Sequence, residues 1–274
     1  MWCYWGNMDT ANVLLRLFPL LAILINWLIS LYRASKSPDY FCDDLKQLWP
    51  DSIPYLRTQW PFVLCCLIGS CFTQASMVSD LKSKPEFVMT VVIASVVSAG
   101  ILPILKLFYV SYLAAPKYPG RLATIGIWSV AVYVMSDSLL SAISHIFLFI
   151  LAVPGLIVLT RTCLFLPIYA LEGNQPLCAL RRSWALTEDK YWMVSRYMGL
   201  STVLFVFLLT TPQLLGAASL SGIPVASVYA YISSAASLAS LVLSLIIAGL
   251  TYKLYDRLSQ AEQQAQSTEQ TGAQ

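Results

Sequence analysis

Long apolar runs separated by shorter polar ones make up most of the chain, and their lengths predict its elements. The first run, Val13 to Tyr32, carries Arg16 near its start and Asn26 inside. No small-residue cleavage site follows it, so the run predicts a retained helix and not a signal peptide. The polar connector "RASKSPDYFCDDLKQLWPDSIPYLRTQW" comes next, with the prolines and mixed charges of an interfacial or short helical link. Further runs extend from Pro61 to about Val78 and from Phe87 to about Ala115, the latter interrupted by Pro103. Leu139 to Leu171 is a run of 33 residues broken at Pro154 and Gly155. One straight helix of that length would measure about 50 Å, against a hydrocarbon core of roughly 30 Å. Two helices meeting at the break are therefore expected, the first beginning near Val130 and including Asp137, the second running from Leu156 to Leu171 and including Arg161. The last two runs are Met193 to about Leu215 and about Ser227 to Tyr252, the second rich in the Ser and Ala that let helices approach closely. The tail "SQAEQQAQSTEQTGAQ" is polar and Gln-rich and reads as disordered.

Backbone polar groups in hydrocarbon must be satisfied within the protein, which leaves helices or closed barrels. Runs this continuously apolar lack the alternation of a barrel strand. The expected fold is all-α, a polytopic transmembrane helical bundle of six or seven spans. Arg16 at the outer end of the first run leaves an interfacial or re-entrant placement open for it. With the N-terminus outside, the inner side receives Arg33, Lys36, Lys46, Arg57, Lys117, Arg121, Arg181, Arg182, Lys190, Lys253 and Arg257, and the outer loops Lys82 and Lys84. That positive-inside bias predicts a cytoplasmic C-terminus.

Composition agrees: 58% of the residues are hydrophobic and 11% charged, against about 25% charge in soluble domains. A net charge of +3 spread over loops is no nucleic-acid footprint. Seven cysteines form no CxxC pair, and one His argues against a His-based metal centre, so no cofactor or metal is expected. There is no GxSxG turn, Walker glycine loop or HExxH helix to indicate an enzyme.

Chemistry concentrates in two places. Asp137, His145 and Arg161 are ionisable groups inside expected spans, where charge is costly. They either line a proton or ion path, or serve packing, with Arg161 paired to Asp137 or to backbone carbonyls. The second place is "LEGNQPLCALRRSWALTEDKYW", residues 171–192, on the cytoplasmic side. Pro176 suits a first helical turn with Asn174 as cap, Leu177, Leu180 and Trp184 form an apolar stripe, and Arg181 and Arg182 fall off it. Glu172 with one of these arginines makes a helix-end lock, because a guanidinium fork suits a carboxylate. The same arginines with Ser183 make a lipid head-group or phosphodiester site. The two readings are compatible: one Arg can lock while the other meets lipid.

The stretch from Val153 to Val194 resembles the bacterial integral membrane proteins of the YciC type, related to the membrane domain that precedes some glycerophosphodiester phosphodiesterases. The shared features are Pro154 and Gly155, Arg161, Pro167, Glu172, then Ala179, Leu180, Arg182, Ser183 and Leu186. Weaker similarity covers "RTQWPFVLCCLIG". The resemblance implies a multi-pass protein of a bacterial inner membrane. Residues 1–45 would then be an N-terminal addition, 46–258 the membrane domain with its interfacial segment at 172–192, and 259–274 the tail. It carries over no phosphodiesterase activity, since the soluble catalytic barrel and its acidic metal cluster are absent from these residues. The expected function is non-enzymatic, engaging membrane lipids, with anionic head groups as the fitting chemistry, or a membrane-protein partner or second copy. The alternative is a small transporter or channel component with a polar path at Asp137 and Arg161.

Overall fold

The computed structural model describes residues 40–65, 68, 85–119, 126–150, 152–173, 175–199 and 225–272, together with 25, 26, 28–30, 32 and 33. Every regular element among them is helical: α1 (Tyr40–Thr58), α2 (Pro85–Ala114), α3 (Ile127–Ile150), α4 (Ala152–Thr162), α5 (Phe165–Glu172), α6 (Pro176–Leu186) and α7 (Val225–Gly272). Residues 191–199 are helical as well. Two stretches, Ile127–Ser144 and Pro154–Glu172, are long and apolar enough to cross a membrane, and Gly100–Ala114 is a shorter apolar one. The expected spans at 13–32, 61–78 and 193–215 lie wholly or mainly outside the described residues.

Prolines mark some helix boundaries and not others: Pro50 and Pro54 lie within α1, and α2 runs through Pro103, where an interruption was expected. α3 ends at Ile150 and α4 begins at Ala152, ahead of the expected break at Pro154, which sits in the first turn of α4. A proline costs nothing there because first-turn amides have no intrahelical acceptor. Pro167 has the opposite effect. Its ring conflicts with the carbonyl four residues back, that of Cys163, and the chain turns at 163–164 before resuming as α5. Gly173 then ends α5 at a φ of 63°, a left-handed conformation that glycine adopts without a Cβ penalty. Gln175, not Asn174, is the N-cap of α6, with Pro176 at its start.

Two boundaries differ from expectation. A division at residue 45 falls inside α1, whose buried residues Phe41, Asp44, Leu48, Ser52 and Tyr55 recur at helical spacing and pack into the main bundle. Residues 259–272, expected in a disordered tail, continue α7 as helix. The run from Leu250 to Thr271 contains neither Gly nor Pro and is rich in Ala, Gln and Glu, all good helix formers.

The core lies where α1, α2, α5 and α7 meet. Leu48, Leu107, Tyr109, Leu164, Ile168, Leu245, Leu250 and Leu254 are fully buried in it. Ser52 donates to the Leu48 carbonyl at 2.7 Å, so its single proton is used and the Tyr109 hydroxyl donates to Ser52 Oγ, also at 2.7 Å. Tyr55 donates to the Leu105 carbonyl at 2.9 Å. Tyr133 of α3 stacks on Phe165 of α5 at 6.2 Å, and Tyr169 donates to the Ser129 carbonyl at 2.8 Å, tying the hairpin to the same core. At Gly249 three helices pack tightly: a Cβ there would lie 2.8 Å from Leu48 Cδ2 and 3.2 Å from Tyr109 Cε1. Overpacking such a contact costs about 1–3 kcal/mol. Gly249→Val is therefore expected to lower thermal stability in detergent, with Gly249→Ala intermediate because the Leu48 side chain can give way; melts followed by size-exclusion chromatography check the order.

Candidate functional site

The end of the bundle at which α5 stops carries most of the polar side-chain contacts. α6 leaves Glu172 after the short reversal at 173–175 and runs back along α5 and α4. Its bundle-facing side is Ala179, Ser183 and Leu186, at spacings of four and three, and all three are buried. The small Ala179 lets α6 sit close, and the Ser183 hydroxyl donates to the Arg161 carbonyl at 2.6 Å. Ser183 is thereby committed to holding α6 on α4. Thr187 closes the helix, its hydroxyl donating to the Ser183 carbonyl at 2.9 Å.

The opposite face of α6 presents Leu177, Arg181 and Trp184. Leu177 is 71% exposed and Trp184 44% exposed, so the stripe expected to combine them with Leu180 divides: Leu180 packs against the core, while Leu177 and Trp184 flank Arg181 outside. Arg181 makes no ion pair among the described residues.

Arg182 has a different fate. Its guanidinium grips Glu262 of α7 through both forks, Nη1 donating to Oε1 at 2.8 Å and Nη2 to Oε2. Glu172 is the lesser partner, 3.8 Å from Arg182 Nε, and accepts instead from the Tyr255 hydroxyl at 2.9 Å. Arg182, Glu262, Glu172 and Tyr255 thus form a four-residue cluster whose main carboxylate is not the expected Glu172 but Glu262, which falls in the segment expected as tail. The hydrogen bond from Arg182 holds the Glu262 carboxyl below the ordinary glutamate range and raises the guanidinium in turn.

Neighbouring contacts continue the pattern along α7. Arg257 donates to Asp44 of α1, Nη2 to Oδ1 at 2.7 Å and Nε to Oδ2 at 3.2 Å. Tyr197 donates to the same carboxylate at 2.7 Å, and Asp44 is 2% exposed. Lys117, beyond α2, pairs with Asp256. Asn26 donates to Ser195 Oγ at 2.6 Å and accepts from the Tyr191 hydroxyl at 3.2 Å, while Arg33 lies 4.3 Å over the Trp192 ring.

The groups expected within spans separate. Asp137 pairs with Lys106 of α2 at 2.8 Å, not with Arg161. Arg161 reaches a backbone carbonyl, that of Trp184 at 3.4 Å, and lies 5.8 Å over the Trp184 ring. No hydrogen bond or ion pair joins Asp137 to Arg161 among the described residues, and the His145 side chain lies outside them. Lys106 escaped sequence analysis, although a base and an acid in separate apolar helices are a signal in themselves. Among the described residues no group of His, Cys, Asp and Glu is placed to hold a metal ion.

Compared with family models, with characterised proteins and with solved structures, the chain finds no match.

The Arg182–Glu262 geometry sets a charge-swap experiment. Both side chains are about a third exposed, so solvent screening limits the pair to about 1 kcal/mol. Arg182→Glu and Glu262→Arg should each lower the melting temperature, and the double variant should recover most of the loss. Because the folded Glu262 carboxyl sits below its ordinary value of 4.5, its contribution is complete above that pH and disappears as pH falls through the folded value. The stability gap between wild type and Glu262→Gln should thus be constant above pH 4.5 and shrink below it.

Proposed function

We propose that this chain is a non-enzymatic, multi-pass protein of a bacterial inner membrane, of the YciC type, that engages anionic lipid head groups through its cytoplasmic face. In this reading the bundle has six or seven spans with the N-terminus outside, and α6 lies at the cytoplasmic boundary. The observation that carries the proposal is the outer face of α6, where the exposed Arg181 sits between Leu177 and Trp184. An arginine flanked by an aliphatic and an indole side chain matches the boundary between phosphate and acyl chains, with Trp favoured at that depth. Arg182 and Ser183 are engaged within the protein, which leaves Arg181 to meet the lipid phosphate.

The transporter reading has less support, because Asp137 is engaged by Lys106 and Arg161 by Trp184. A docking partner or second copy on the same face would bury Leu177 and Trp184 in place of lipid. The test is native mass spectrometry of the detergent-released protein with its co-purifying lipids. Wild type is expected to retain anionic phospholipid and Arg181→Gln to lose most of it while keeping its melting temperature. Equal lipid retention in both would sink the proposal, and a dimer that dissociates in Arg181→Gln without any lipid change would favour the protein partner.

A further inference from the structure

A charge inside an apolar run is ordinarily placed in the membrane interior, and Arg161 meets that description by sequence. Its neighbours say otherwise. The Ser183 hydroxyl on the Arg161 carbonyl and the Arg161 guanidinium on the Trp184 carbonyl set this part of α4 level with the C-terminal turn of α6. Thr187 ends that turn, and the next two residues, Glu188 and Asp189, are both exposed. Two exposed carboxylates cannot face hydrocarbon, so water or head groups reach this level on the α6 side. Arg161 therefore stands beside a polar helix end that water or head groups reach.

There it has no carboxylate partner among the described residues. Lys106, Lys117, Arg182 and Arg257 each hold a carboxylate, whereas Arg161 holds one long hydrogen bond to a carbonyl and no acid among the described residues. Arg181, also without an acid, lies three residues before Trp184 on the same exposed face, a spacing that makes them neighbours on a helix. The Trp184 indole thus has the Arg161 guanidinium of α4 5.8 Å over its ring, and Arg181 stands one helical turn before it on the same exposed face.

We propose that Arg161 and Arg181 together form a two-guanidinium clamp for one phosphate of an anionic phospholipid, with the glycerol and first acyl carbons lying on Trp184. This inference rests on the lipid reading of the α6 face and names its second cationic ligand, which comes from a different helix. Two forked donors converging on one phosphate favour a singly esterified or acidic diester head group over a zwitterionic one, whose ammonium would meet like charge. Placing one ligand on α4 and the other on α6 also makes the site depend on the Ser183 hydrogen bond that sets their separation.

The experiment titrates the purified full chain in detergent with phosphatidylglycerol, with phosphatidylcholine and with inorganic phosphate, counting bound molecules by native mass spectrometry. Arg161→Gln and Arg181→Gln should each weaken phosphatidylglycerol binding about tenfold, the loss of one charge-assisted contact. The double variant should bind phosphatidylglycerol no better than phosphatidylcholine. Inorganic phosphate should fail to displace the lipid; complete displacement would overturn the lipid assignment in favour of free phosphate. Should Arg161→Gln fail to fold, Arg161→Lys keeps the charge without the fork: binding weaker than wild type supports the clamp, and binding equal to wild type overturns it. If Arg181→Gln loses the lipid and a folded Arg161→Gln does not, the clamp fails while the lipid reading stands. If neither variant changes binding, both fail.

Discussion

The polar stretch of α7 from Lys253 to Glu262 is the post to which the rest of this end of the bundle is tied. Apolar side chains gain little by choosing a helix over a lipid tail, so helices in a membrane find their register through close packing and polar contacts. Here those contacts fall within three turns of one helix: Tyr255 to Glu172 of α5, Asp256 to Lys117 after α2, Arg257 to Asp44 of α1, and Glu262 to Arg182 of α6. They are unequal in weight. Asp44 is buried and takes hydrogen bonds from both Arg257 and Tyr197, and removing one partner of a buried pair costs about 3–5 kcal/mol. The Arg182–Glu262 pair is more exposed and contributes less energy, but it decides which arginine of the adjacent pair faces inward.

That decision separates locking from recognition on α6. Arg181 and Arg182 are adjacent, so about 100° of helix turn lies between them, and they cannot share a face. Ala179 and Ser183 orient the helix, since their small side chains allow close approach and the Ser183 hydroxyl finds the Arg161 carbonyl. Gly173 ends α5 at a positive φ, and α6 begins at Pro176. The spacing Ala179, Arg182, Ser183 and Leu186 therefore has a physical meaning of its own: small contact, lock, hydrogen bond and apolar seal.

Much of this was legible in the sequence, and what was not has identifiable causes. Apolar run lengths located α2 and α3 to within a few residues, because continuous hydrophobicity and a length limit leave few alternatives, but the single helix expected from Leu156 to Leu171 is two, α4 and α5, divided by the turn at 163–164 ahead of Pro167. Glu172, Arg182 and Ser183 were read as one neighbourhood, and they are. Their partners were missed where they lie far along the chain: Glu262 is 80 residues from Arg182, and Arg257 is 213 from Asp44. Periodicity reports faces, not pairings. The tail differs from expectation because its polarity conceals its helix propensity: Ala, Gln and Glu, with no Gly or Pro before Gly272, prolong a helix already begun. Asp137 was matched to Arg161 because Lys106 was absorbed into a long apolar run.

Arg161 shows why depth cannot be counted from the nearest turn alone. On the proposed multi-pass reading, distance from the end of α3 puts it part-way into the membrane, about 15 Å along a helix of 1.5 Å rise. That count treats α4 as surrounded by lipid on every side. The structure instead lays α6 against it, and α6 ends in the exposed acids Glu188 and Asp189. The local boundary is set by what packs beside a residue, since a polar helix end carries water and head groups with it. A cation at such a step gains on both counts: its aliphatic stem stays against apolar side chains while its guanidinium reaches an anion at the surface. The same packing that relieves the cost of placing Arg161 in an apolar run sets Trp184 beside it, so in the proposed lipid site relief of that cost and recognition of a phosphate would follow from one arrangement.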